Sequence, residues 1–97
     1  MKPYYEWEGY HDGPELEALF ADQYLASHPG GPFTTYLPLL AAHRWLCAAD
    51  AYKNENKPAD AARTHKLYEQ RIASARNSAD LMIRTAAEEL IARNRCR

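Results

Sequence analysis

Three residues of one helical run have the side chains that chemistry would use. In "HRWLCAADAY", His43, Cys47 and Asp50 are spaced by four and then three, so a helix places imidazole, thiol and carboxylate on one face. Such a set could serve as a nucleophile with its base, or as part of a metal site. A nucleophile needs its base within hydrogen-bond reach and an oxyanion site beside it. No Gly-rich turn or second polar cluster offers that site. Two ligands and a carboxylate also lack the paired spacing of a zinc module. The face reads as a buried helix with a satisfied histidine and an inert thiol. His65 reads as structural, with Asp50 or Glu69 as its candidate partner. His11 and His28 lie in loops, and Glu88 and Glu89 have no opposed carboxylate for acid/base work. The expectation is a protein that is not an enzyme, with no catalytic, metal or cofactor-binding residues.

The elements that carry these residues follow from composition. There is no Val and only three Ile among 97 residues, while Ala is the commonest residue. Strands favour β-branched side chains and helices favour Ala, so the chain should be all-α. Its apolar content of 46 % consists largely of Ala and Tyr, which make a thin core for one small domain. Cys47 and Cys96 are too few and too unlike in setting for a disulfide framework, and a reducing compartment fits both. No stretch approaches the roughly 20 apolar residues of a membrane span, and the first residues lack the apolar core of a signal peptide.

Along the chain, residues 1–13 read as an extended arm whose rings, Tyr4, Tyr5, Trp7 and Tyr10, should lie on something, either their own domain or a neighbouring subunit. Residues 14–28 form a helix with Pro14 in its first turn and Leu16, Leu19, Phe20 and Tyr24 along one face. A second helix covers 34–54, capped by Thr34 or Thr35, with Pro38 in its first turn. Trp45, Ala48, Ala49 and Tyr52 widen its apolar surface, so it should be central. Pro58 opens a third helix. The positions 61, 65, 68, 72, 75, 79, 82 and 86 alternate in steps of four and three, and this seam stays in register across Asn77-Ser78. A continuous helix over 58–93 is expected, followed by a basic tail, 94–97. Such a helix would run roughly 50 Å, beyond the about 30–35 Å diameter of a compact chain of this size. Its end, with Leu90, Ile91, Arg93, Arg95 and Arg97, reads as a docking segment. The fold expected is a small helical bundle or hairpin with one long C-terminal helix and an extended N-terminal arm.

Charge is unevenly placed. Up to Ala42 one lysine faces Glu6, Glu8, Asp12, Glu15, Glu17 and Asp22, whereas from His43 onward eleven Lys or Arg face seven acids. An acidic and a basic end could stack copies head to tail or simply be two solvated surfaces. Seven arginines lie on the third helix and tail, but they are spread around it, which argues against a groove-reading helix.

Two resemblances bear on function. The spacing of Trp45, Ala49, Tyr52 and Ala61 looks like the first helix and turn of a tetratricopeptide repeat, but the match fails at His65 and Tyr68 and no second copy occurs. From Tyr36 to Ala75, "YLPLLAAHRWLCAADAY", the polar knot "KNENKPA" and "HKLYEQRIASA" resemble the adaptor proteins of tailed-phage head–tail connectors. That resemblance implies a structural virion protein, made in the host cytoplasm, that forms a homo-oligomeric ring under the portal. Its partners would be itself, the portal protein and other neck or tail proteins, with non-specific contact to DNA in the channel and none with membrane. The arm and the 90–97 segment would then be interfaces. The alternative is a small helical interaction module, tetratricopeptide-like or inhibitory, that binds one protein partner.

Overall fold

The computed structural model describes residues 10–97 and is all-α: α1 (Asp12–Ser27), α2 (Leu37–Asn54), α3 (Pro58–Arg76) and α4 (Leu81–Arg93), with no strand among the described residues. Tyr4, Tyr5 and Trp7 of the expected arm lie outside the described residues. The remainder of the arm is partly helix, because α1 already begins at Asp12, with Pro14 in its first turn.

Helix α2 is the centre of the bundle, packing against α1, α3 and α4, and most extensively against α3. Its position follows from its side chains: Ala41, Ala42, Trp45, Leu46, Cys47, Ala48, Ala49, Ala51 and Tyr52 are all buried. The start of α2 differs from expectation. No side chain caps it, and the Thr34 hydroxyl instead donates to the Gly31 carbonyl within the preceding turn. The α2–α3 turn closes through Lys57 N–H to the Tyr52 carbonyl at 2.9 Å, with Asn56 left-handed at φ 60°, a conformation that Asn tolerates better than most residues. Pro58 then sets the first turn of α3.

Helix α1 turns the face opposite to the one its large apolar residues suggest. Pro14, Ala18 and Ala21 are buried, while Leu16, Leu19 and Phe20 are exposed. Two causes act together. Small side chains let α1 approach Ala41, Ala42 and Ala48 of α2 closely, in one apolar cluster around Trp45. The acids of the inward face also find fixed partners. Glu15 accepts from the Tyr52 hydroxyl (2.9 Å) and Arg63 (3.0 Å), Glu17 from Arg44 (2.8 Å), and Asp22 from the Trp45 indole N–H (3.0 Å) and Arg71 (2.7 Å). The uneven charge of the sequence is thus largely met inside the chain, acidic α1 against basic α2 and α3, and does not require a second copy.

The expected continuous helix over 58–93 is two helices. The seam holds through Ala61, Tyr68, Ile72 and Ala75, then fails: Ala79 and Met82 are exposed, and α4 buries Ala87 and Leu90 instead. Asn77 ends α3, and Asp80 caps α4 with its carboxylate accepting from Met82 and Ile83 N–H at 2.8 and 3.3 Å. Packing back gives α4 apolar cover from the core, so Leu90 and Ile91 join the main cluster rather than protruding. The longest dimension is 37 Å, well short of a 58–93 rod. Asp80→Ala should cost about 1 kcal/mol, read as a lowered urea midpoint; an unchanged midpoint would mean that packing alone sets the start of α4.

Candidate functional site

The face of α2 that holds His43 and Cys47 meets the end of the chain. Helix α4 stops at Asn94, which is left-handed at φ 53° and donates its N–H to the Leu90 carbonyl at 2.8 Å. The chain then turns back onto α2, and Cys96 forms a disulfide with Cys47 across 49 residues of sequence. Both cysteines are buried, at 1 and 4 % exposure. This corrects the expectation of two unrelated thiols in a reducing setting. Their settings look unlike in sequence because Cys96 is terminal, but the break before Asp80 reverses α4 and carries that terminus to the middle of α2.

Polar ties place the tail besides the sulfur bond. Asp50, one turn beyond Cys47, accepts from the Cys96 backbone N–H at 2.8 Å. His43 Nε2–H donates to the Cys96 carbonyl at 3.0 Å, and Arg93 Nη2 donates to the same oxygen at 3.2 Å. On the other side of the ring, Arg44 Nη1 donates to His43 Nδ1 at 2.6 Å, while Arg44 Nε holds Glu17. With a donor aimed at Nδ1 and an acceptor at Nε2, His43 is a neutral imidazole. Burial lowers its pKa below the usual histidine value, and the charges of Arg44 and Arg93 add to that against the opposing hydrogen bond to Cys96.

A lowered histidine pKa has a defined sign. The unfolded state binds the proton more readily, so stability is fully present above the ordinary value of about 6.5 and is lost as pH falls below it towards the folded pKa. Thermal midpoints of the oxidised protein should fall between pH 7.5 and pH 5.5, and His43→Gln should flatten that fall. An equal fall in the variant would assign it to other groups.

A second site lies towards the start of α2, where it meets α1. Phe20, Ala21 and Tyr24 of α1, Phe33 of the turn, and Leu37 and Leu40 of α2 line a nearly wholly apolar groove of about 170 Å³, with Glu17 at its edge. Leu16, Phe20 and Phe33 are 68, 70 and 57 % exposed, and Tyr36 is 49 % exposed. The turn is held in shape by stacking of His28 on Tyr24, ring centres 4.2 Å apart, and by left-handed Gly30 at φ 82°. The sequence spacing groups Leu16, Leu19, Phe20 and Tyr24 on one face; the first three are exposed and Tyr24 is half-buried.

The expected interface residues are dispersed. Tyr10 is exposed at the entry to α1. Leu90 is buried and Ile91 partly buried in the core. Arg93 is engaged with the Arg95 and Cys96 carbonyls, and Arg95 and Arg97 flank the buried Cys96. The 90–97 segment thus folds back on α2 through Leu90, Ile91 and Cys96, while Arg93, Arg95 and Arg97 stay on the exposed side. Of the α3 arginines, Arg63 and Arg71 hold α1 carboxylates, and Arg76 holds Glu88 at 2.6 Å. His65 lies 3.6 Å from Glu69, one of its two expected partners. Among the described residues, no helix is long and apolar enough to cross a membrane. No family model, curated protein or solved structure matches the chain.

Proposed function

We propose that the chain is a non-enzymatic assembly protein that docks on other protein through the apolar face of α1 and the turn that follows it. The observation that carries this reading is that Phe20 and Phe33 line an apolar groove while largely exposed, with Leu16 one helical turn before Phe20 and Tyr36 three residues after Phe33 exposed as well. A small bundle with spare alanines for its core would not leave four such side chains in water without a use for them. The specific form we favour is a ring-forming adaptor of a tailed-phage head–tail connector. It rests on the resemblance over Tyr36–Ala75, which coincides with the α2–α3 hairpin, the most extensive pairing of the bundle.

In that reading the occupant of the groove is a second copy of the chain, with the portal and neck proteins as further partners and the DNA channel inside the ring. The overlong helix and the acidic–basic split no longer contribute support, since both are resolved within one chain. The disulfide adds a constraint: the oxidised form belongs outside a reducing cytoplasm, as in a virion after its release. The second reading, a module for one protein partner, draws on the size of the groove, which suits one or two side chains of a ligand.

Light scattering over a range of concentrations separates them. Phe20→Glu should weaken self-association at least about tenfold, the equivalent of an aromatic ring losing its burial. A wild-type monomer at every concentration would remove the ring and leave the single-partner module.

A further inference from the structure

The cysteine pair and His43 form a cluster whose use does not end with the disulfide. His43 Nε2 is 3.5 Å from Cys47 Sγ and 3.9 Å from Cys96 Sγ, and the three potential ligand atoms lie within 4.8 Å of one another. In a tetrahedral zinc site with Zn–S near 2.3 Å and Zn–N near 2.0 Å, the edges are about 3.5 Å for N···S and about 3.8 Å for S···S. The nitrogen already sits at the required edge distance from Cys47 Sγ and a few tenths of an ångström beyond it from Cys96 Sγ, so the main change needed is separation of the sulfurs. We propose that, when the Cys47–Cys96 disulfide is reduced, the two thiolates and His43 bind one zinc ion, so that the tail is fastened to α2 by sulfur in one redox state and by metal in the other.

Three features of the surroundings support the site. The Cys96 backbone is held by Asp50 independently of the sulfur bond, so reduction leaves the third ligand close to its place. His43 is neutral, the form that ligates. Ligation through Nε2 takes that nitrogen from the Cys96 carbonyl, but Arg93 remains as the carbonyl's donor. It also moves the ring proton to Nδ1, so Arg44 Nη1 must withdraw, and the Glu17 carboxylate already anchors that arginine through Nε. Two thiolates neutralise the charge of the ion. Three protein ligands leave the fourth position to water. Soft sulfur donors select zinc over magnesium or calcium.

The chemistry balances. A dithiol reductant supplies two electrons and two protons, becomes a disulfide itself, and leaves Cys47 and Cys96 as thiols. Zinc then displaces both thiol protons. In reverse, a two-electron oxidant such as hydrogen peroxide takes the electron pair from the zinc-bound thiolates, the S–S bond re-forms, zinc leaves, and the peroxide takes up two protons to become two waters.

The test uses the whole chain, reduced, freed of metal and kept cold. It is titrated with Zn²⁺ against a chromophoric chelator, and with Co²⁺ to read the visible bands of tetrahedral coordination and the thiolate charge-transfer band. One equivalent should bind to the reduced protein and none to the oxidised protein. Cys96→Ser and His43→Ala should each weaken binding by more than the roughly 10–100-fold cost of losing an outer-shell partner. Cys96→His cannot form the disulfide but keeps a ligand, so it should retain the site and lose its sensitivity to peroxide. Far-ultraviolet circular dichroism confirms that each variant is folded. The proposal is overturned if the reduced wild type takes up no stoichiometric zinc, if its Co²⁺ complex lacks the thiolate band, or if binding survives both ligand deletions.

Discussion

Reduction of the Cys47–Cys96 bond, in the presence of a chelator that removes metal, should lower the thermal midpoint by about 15–30 °C. The bond closes a loop of 49 residues, and cross-linking such a loop removes enough unfolded-state entropy to contribute about 4 kcal/mol. For a domain of this size, each kcal/mol moves the midpoint by about 4–8 °C. The tail has its own ties to Asp50, His43 and Arg93, so a cold reduced protein should still be folded. Cys96→Ser should reproduce the reduced midpoint, because both changes remove the same constraint. Calorimetry with and without reductant measures this directly. A midpoint indifferent to reductant, or two reactive thiols in the untreated native protein, would mean that the bond does not form.

Trp45→Ala should be the most damaging single change in the core, at about 3–5 kcal/mol. The indole is 1 % exposed within the main apolar cluster, and it also joins three helices. Its N–H donates to Asp22 of α1, and the same carboxylate takes two hydrogen bonds from Arg71 of α3. Truncation would leave a cavity in α2 and strip Asp22 of one donor in a place with little water. Trp45→Phe keeps most of the volume and leaves Asp22 with Arg71, so its cost should be nearer 1–2 kcal/mol. Urea unfolding of the pair resolves the two contributions. If alanine and phenylalanine cost the same, the polar tie rather than the packing holds α1 in place.

The helical class was legible from what the chain lacks, Val above all, and from its alanines, because those choices act locally. The central place of α2 was legible too, since Trp45, Ala48, Ala49 and Tyr52 add a second apolar side to the one that holds Leu39, Leu40, Leu46 and Cys47. The orientation of α1 was not legible, because hydrophobic periodicity finds the apolar face without saying which way it turns. Here the Ala-and-acid face faces inward, because Glu15, Glu17 and Asp22 each have a basic or hydroxyl partner waiting on α2 or α3. The break at residues 77–80 was hidden by a seam that continues in register on paper. Asp80, two residues before the first amide it caps, was the signal for the break, and Asn94 was the signal for the turn back. The disulfide depended on both, so it could not be read from cysteine spacing alone.

The bond between residues 47 and 96 also sets how the molecule would answer a pull. Load applied between the two ends enters at the N-terminus, runs into α2 and crosses at the sulfur bridge to leave by the last residue. Helices α3 and α4 lie on the closed loop outside that path. They can lose their packing under force, but they cannot add length. Opening the bridge would release about 160–175 Å of chain at once, at roughly 3.3–3.6 Å per residue. The oxidised protein is thus a short, stiff tether and the reduced, metal-free protein a long, compliant one.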